Sequence, residues 1–206
     1  MALKFEEQYY NEQIKYIVGI DEAGRGPLLG PVVASAVILP PHFYIDDIND
    51  SKKLTEKKRE ELYLYIKEHA LAIGVGIVDA ETIDKINILE ATKLAMITAL
   101  KQINIPYQLV LTDAVKLKID TPLIPIIKGD AKAECIAAAS IIAKVTRDHI
   151  CYELDKKYPM YHINKHKGYG TKEHLEALKQ YGPIKGVHRY SFGPIKNLFI
   201  EKISLF

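Results

Sequence analysis

Apolar positions along the chain fall into two patterns: short dense runs of strand length, and longer stretches where they recur at helical spacing. "YIVGID" (residues 16–21) and "PVVASAVIL" (31–39) are nearly continuous apolar runs, parted by the glycine-rich "EAGRGPLLG", and they predict two buried strands around a tight break. Before them, residues 3–14 predict a short helix leading into the first strand. "NDSKKLTEKKREELYLYIKEHA" predicts a turn and then a helix, with Leu62, Ile66 and Ala70 four residues apart on one face. "LAIGVGIV" (71–78) reads as a third strand, and "NILEATKLAMITALKQI" (87–103) as a second helix. "YQLVLTD" (107–113) and "PLIPIIK" (122–128) are two further strands. A long helix is predicted from about 131 to 158. Its first half, "AECIAAASIIAKV", is apolar or small all round and suits burial against a sheet, whereas the charged second half is expected to leave the core. One more helix, 171–180, lies between loops rich in Gly, Lys and His, and "KNLFIEKISLF" closes the chain as a helix or strand. The succession ββ-α-β-α-ββ-α predicts an α/β layered fold with a mixed sheet.

Composition narrows the class. With 206 residues, 48% of them hydrophobic, the chain suits a single globular domain, 1–206, in which about 150–206 form a helical and loop extension. A net charge of +2 does not by itself mark a polyanion-binding protein. Its distribution says more: from Lys144 to Arg189 there are ten Lys or Arg against five Asp or Glu, with five of the seven histidines. That stretch can face phosphates, or present an ordinary solvated face. Cys135 and Cys151 fall sixteen residues apart in the predicted long helix, roughly 24 Å by helical rise, too far for a disulfide. Reduced thiols and a cytoplasmic setting are therefore expected. "MALKFEEQYYNEQIK" is polar and acidic with no signal-peptide core, and no apolar run approaches the ~20 residues of a membrane span.

The acids carry the chemistry. Asp21 and Glu22 end the first apolar strand, Asp113 ends "YQLVLTD", and Asp130 follows "PLIPIIKG". Side chains alternate along a regular strand, so Asp21 and Glu22 share a face only if the chain breaks away at once, which the following glycines permit. If the first strand and 107–113 are parallel neighbours, their terminal carboxylates meet at one sheet edge, where ligands of open α/β sheets bind. Asp130 fits an ordinary helix N-cap as well as a ligand, and Asp113 could simply end a strand. Asp148 lies about 27 Å further along the long helix and is excluded from any cluster with Asp130. Acids that each follow a separate apolar run favour metal binding as a set, because buried charge needs a counter-charge. An all-oxygen donor set favours Mg²⁺ or Mn²⁺ over zinc, and His162 and His166 lack a close Cys pair for a zinc site.

"GIDEAGRGPLLGPVVASAV", "DSKKL", "LTDA", "KGDAK", "AASIIAKVTRD" and "HKGYGT", in that order along most of the chain, closely resemble the type 2 ribonuclease H family, specifically ribonuclease HII. The resemblance implies a ribonuclease H-like mixed five-stranded sheet flanked by helices, with a C-terminal helical extension that helps to bind nucleic acid. It implies a monomeric endoribonuclease that cuts the RNA strand of RNA–DNA hybrids and incises duplex DNA on the 5′ side of embedded ribonucleotides. Two divalent ions are implied at Asp21, Glu22, Asp113 and Asp130, with 3′-hydroxyl and 5′-phosphate products. Gly24, Arg25 and Gly26 match the family's loop that contacts the ribonucleotide's sugar and flanking phosphate, and Tyr169 matches the tyrosine that senses the RNA-to-DNA junction. Lys52 and its neighbour Lys53 are expected near substrate, although surface solvation explains them almost as well, and Lys144 and Arg147 are candidates for DNA phosphates. Ala114 departs from the glycine that many members carry after the third acid, which puts the local backbone in question. Two other classes compete: an actin-like phosphotransferase, whose first strand can also read "GID" but which needs a second lobe, and a catalytically silent hybrid-binding module, against which the full set of acids argues.

Overall fold

The computed structural model describes residues 4–46, 48 and 54–203, with side chains through residue 198. Five strands form one sheet: β1 (Ile17–Ala23), β2 (Val32–Ile38), β3 (Ala72–Val78), β4 (Leu109–Asp113) and β5 (Leu123–Ile126). Their spatial order is β3-β2-β1-β4-β5. β1 pairs antiparallel with β2, and β2 with β3, whereas β4 lies parallel to β1 and β5 parallel to β4. The mixed sheet is therefore the one the sequence predicts, and the two acid-bearing strands are parallel neighbours.

Helices cover both faces. α1 (Glu56–His69), α2 (Ala80–Leu100) and α3 (Glu134–Lys157) are joined towards the C-terminus by α4 (Ile163–His166), α5 (Lys172–Tyr181) and α6 (Gly193–Ile203). One core layer packs Val18, Ile20, Ala34, Ala36 and Val110 of the sheet against Ala91, Ala95, Met96 and Ala99 of α2. The opposite layer sets Val37 and Leu39 with Leu62 and Ile66 of α1 and Ala137, Ala138 and Ile141 of α3. Glycines make the approach close: a Cβ at Gly19 would overlap the Cys135 backbone of α3, and one at Gly76 the Ala95 carbonyl of α2.

Several elements differ from expectation for identifiable reasons. The predicted helix over 3–14 shrinks to a 3₁₀ turn, Phe5–Tyr9, because Asn11 Oδ1 accepts from the N–H groups of Gln13 and Ile14 and turns the chain. α2 begins seven residues before the predicted Asn87, capped by Asp79, whose carboxylate accepts from Thr82 N–H at 2.7 Å. Asn87 itself sits at φ 66° inside it and accepts from Leu89 and Glu90 N–H, which restarts the helix where the apolar pattern begins. α3 does not leave the core at its midpoint: Arg147, Asp148 and Cys151 are all buried. What covers them is the C-terminal extension, whose Tyr161, Ile163, Leu178 and Ile195 pack with Leu28, Leu29 and Cys151 in a cluster of their own. "KNLFIEKISLF" is helical as far as Ile203.

Candidate metal centre and its cleft

β1 and β4 run parallel with Ile20 opposite Thr112, so the next residues, Asp21 and Asp113, reach the same sheet edge. Asp113 ends β4, and its Oδ1 accepts from Gly129 N–H at 2.9 Å, which pins the 3₁₀ turn Gly129–Ala131 that carries Asp130. Asp21, Asp113 and Asp130 each offer a carboxylate oxygen to one point, all within 4.8 Å of one another. Asp130 is not the helix N-cap: α3 starts at Glu134 with Ala133 in the cap position. The cluster is buried at Asp21 and Asp130 and half-buried at Asp113. Asp148 stays out of it, as expected, with both carboxylate oxygens on Lys144 Nζ at 2.6 and 2.7 Å.

Burial above all pushes the Asp21 carboxyl well above the usual carboxylate range, and the charges of Glu22 and then Asp113 add to it. The Ser140 hydroxyl and the Glu22 N–H, which donate to that carboxylate, oppose the shift. An oxygen-only donor set with this much unfavourable negative charge fits a hard divalent cation, which removes the repulsion that raises the pKa.

Glu22 lies beside this triad rather than in it. β1 continues in register through Glu22↔Ala34 and Ala23↔Val33, so the strand breaks at Gly24, later than its predicted end at Asp21. The Glu22 Oε1 stands 3.4 Å from Arg25 Nη1, and both side chains line a cleft of about 240 Å³ with Gly24, Gly26, Ser140, Lys144 and Tyr169. Gly24 takes φ 96° there, a left-handed conformation that glycine adopts without penalty. Tyr169 is half exposed, and its ring is 3.5 Å from where a Gly26 Cβ would stand. The glycine loop and the tyrosine loop are thus walls of one cleft. A more open groove of about 990 Å³, lined by residues such as Tyr63, His149 and Tyr152, shares no residue with it.

One expectation changes here. Arg147 cannot reach a phosphate: it is 1% exposed, and its guanidinium donates to the carbonyls of Leu29, Pro31 and Lys167 at 3.0–3.1 Å. Lys52 and Lys53 fall outside the described residues. Sequence reading missed Ser140, the buried Arg189, and a group of His166 stacked on His174, with His188 tilted against it, beneath the Tyr169 loop. No periodicity announces them, because their partners are mostly backbone carbonyls and one another.

Comparison with known proteins identifies the lineage. The family model described as ribonuclease HII matches residues 18–194. The chain belongs to the ribonuclease HII family. Among its relatives, the ribonuclease HII of Bacillus mycoides is 54% identical over 195 residues, covering 95% of this chain and 76% of that protein. The crystal structure of the ribonuclease H2 from Pyrococcus horikoshii superposes with a TM-score of 0.76 at 28% identity, covering 90% of this chain and 98% of that one. The ribonuclease HII of Archaeoglobus fulgidus, solved in a complex with PCNA, follows with a TM-score of 0.70 at 27% identity, over 86% of this chain and 95% of that one. The fold is thus the ribonuclease H-like one that the motifs imply. The matched span holds all four acids, the glycine loop and Tyr169.

Proposed function

We propose that Asp21, Asp113 and Asp130, with Glu22 at the rim, hold Mg²⁺ or Mn²⁺, two ions per site, and that the adjoining cleft reads a ribonucleotide. As a member of the ribonuclease HII family the chain is a metal-dependent endoribonuclease acting on RNA–DNA hybrids. The observation that carries the site assignment is the convergence of three carboxylates from separate segments within 4.8 Å. Bound divalent ions supply charge neutralisation and Lewis-acid polarisation of the scissile phosphate.

The chain's own groups do the rest. Arg25, whose side chain is 48% exposed at the cleft mouth, offers forked donors to the phosphate beside the ribonucleotide. Backbone N–H groups of the Gly24–Gly26 loop meet the 2′-hydroxyl, the group that separates RNA from DNA. Tyr169 lays an aromatic plane against the sugar at the junction. Hydrolysis on the 5′ side of the ribonucleotide leaves a 3′-hydroxyl and a 5′-phosphate. Lys52, in the "DSKKL" motif, is assigned to the flanking backbone on the resemblance alone. The whole chain acts as one catalytic domain, with residues from about 150 onwards widening the nucleic-acid surface, and it works as a monomer. A cytoplasmic setting is supported by two buried cysteines that stay unpaired, and among the described residues no helix is long and apolar enough to cross a membrane.

Asp21→Asn tests the assignment. It keeps the shape of the side chain but removes the charge, and metal-dependent incision at a single ribonucleotide in duplex DNA should fall by about 100-fold or more, since even groups that only support metal ligands are worth about 10–100-fold. Incision at an undiminished rate would disprove the role of the triad.

A further inference from the structure

Arg189 is fully buried, yet among the described residues no carboxylate pairs with its guanidinium. Its donors go to main-chain carbonyls: Nη2 to Gly24 at 2.6 Å, Nη1 to Arg25 at 3.0 Å and Nε to Gly30 at 3.0 Å. The Arg189 N–H donates in addition to the Leu28 carbonyl at 2.9 Å. Asp84, whose charge acts on Arg189, is occupied by Tyr190 N–H, Ser191 N–H and the Ser191 hydroxyl. A buried charge held only by neutral acceptors is an expensive way to fasten two segments together, when apolar packing between them is already in place.

The choice of acceptors explains the expense. Gly24 and Arg25 supply consecutive carbonyls. In a planar trans peptide the C=O and N–H point in opposite directions. A guanidinium that draws these two carbonyls inward therefore turns the N–H groups of Arg25 and Gly26 outward, into the cleft lined by Glu22, Ser140 and Tyr169. Neither N–H has a partner among the described residues. Arg147 lies directly beneath, where a Cβ on Gly24 would overlap its side chain, and it holds the carbonyls of Leu29 and Pro31 on the far limb of the loop. The loop has no room to rotate those peptides back.

We infer that Arg189 is a positioning residue for ribonucleotide recognition: it fixes the Gly24–Arg25 and Arg25–Gly26 peptides so that two N–H donors stand ready for the sugar 2′-hydroxyl. This rests on the functional reading above and adds to it the part of the chain that sets its specificity. Donors held in place before substrate arrives raise the rate of the chemical step more than they tighten binding.

Arg189→Lys and Arg189→Gln test it. Lysine keeps the charge but cannot fork between two carbonyls. Both variants should melt cooperatively, bind all-DNA duplex and titrate Mn²⁺ as the wild type does. On a duplex with one ribonucleotide, kcat should fall about 10-fold or more with KM nearly unchanged, and lysine should retain more activity than glutamine. An unchanged kcat, or a loss confined to KM, overturns the inference. A wild-type enzyme that leaves the ribonucleotide uncut removes the functional reading itself, whereas a wild type that cuts beside a lysine variant of equal kcat removes only the role of Arg189. If the variants do not fold, amide hydrogen exchange on the unmutated protein decides. Exchange at Arg25 and Gly26 should be fast in the free protein and slowed, in EDTA, by the ribonucleotide duplex but not by its all-DNA counterpart. Protection already present in the free protein, or equal protection by both duplexes, overturns the inference.

Discussion

Ala114 follows the third acid with φ 58°, and its N–H donates to the Ile126 carbonyl of β5 at 3.1 Å. A left-handed conformation costs a residue with a Cβ about 1–2 kcal/mol, which is why glycine suits this position. The sequence departure thus leaves the backbone geometry in place and puts the strain in the residue. Ala114→Gly relieves that strain and loses part of the gain to the freer unfolded chain, so thermal melting should rise by about 1–3 °C with incision unimpaired. A lowered melting temperature would mean that Ala114 is not strained. At this scale the acids were legible because each follows an apolar run, a pattern with few innocent explanations. Arg147 and Arg189 were not. A cation in a basic stretch reads as solvated, and backbone carbonyls, the acceptors that bury these two, leave no trace in side-chain identity.

Among the elements, strands were the easier to read, since β2 is buried on both faces and shows as an apolar run interrupted only by Ser35. The start of α2 was hidden because "AETIDKI" is polar in composition, although Asp79, a preferred N-cap residue, with Glu81 in the first turn is a helix-start signal that marks it. The end of β1 moved from Asp21 to Ala23 because pairing with β2 continues past the acids. Packing between elements gives its own test. At Gly76 the α2 carbonyl of Ala95 occupies the space of a side chain, so Gly76→Ala has to push helix from sheet. Overpacking of this kind costs about 1–3 kcal/mol, readable as a lower urea midpoint at an unchanged slope. A variant as stable as the wild type would show that α2 rides more loosely on β3 than the structure has it.

Across the whole molecule, the C-terminal extension does more than add surface: it grips the glycine loop through Arg189 and seats Tyr169 on a histidine stack. His174 Nδ1 meets the Tyr169 carbonyl at 2.9 Å, and its Nε2 meets His188 Nε2 at 3.2 Å. That last contact needs one nitrogen to donate and the other to accept, so both rings cannot be protonated. Burial, chiefly, lowers His174 to about 4 and His188 to about 3. Below pH 6.5 the unfolded chain therefore binds protons that the folded chain refuses. The stabilisation is fully present above pH 6.5 and is lost as pH falls towards 4 for His174 and towards 3 for His188, at up to about 1.4 kcal/mol per pH unit for each histidine. Melting temperature should drop steadily from pH 6.5 to 5, ahead of most carboxylate titration, and a flat profile there would contradict neutral burial of the stack.

In the proposed function, carboxylates from three segments act together, through divalent cations, on a strand marked by a ribose. Incubating the protein with duplex DNA that carries one ribonucleotide in an end-labelled strand, in Mg²⁺, in Mn²⁺ and in EDTA, tests this most directly. The predicted result is a single cut on the 5′ side of the ribonucleotide with at least one of the ions, none in EDTA, and none in the same duplex made wholly of DNA. A cut that persists in EDTA, or that falls equally on the all-DNA duplex, would contradict it.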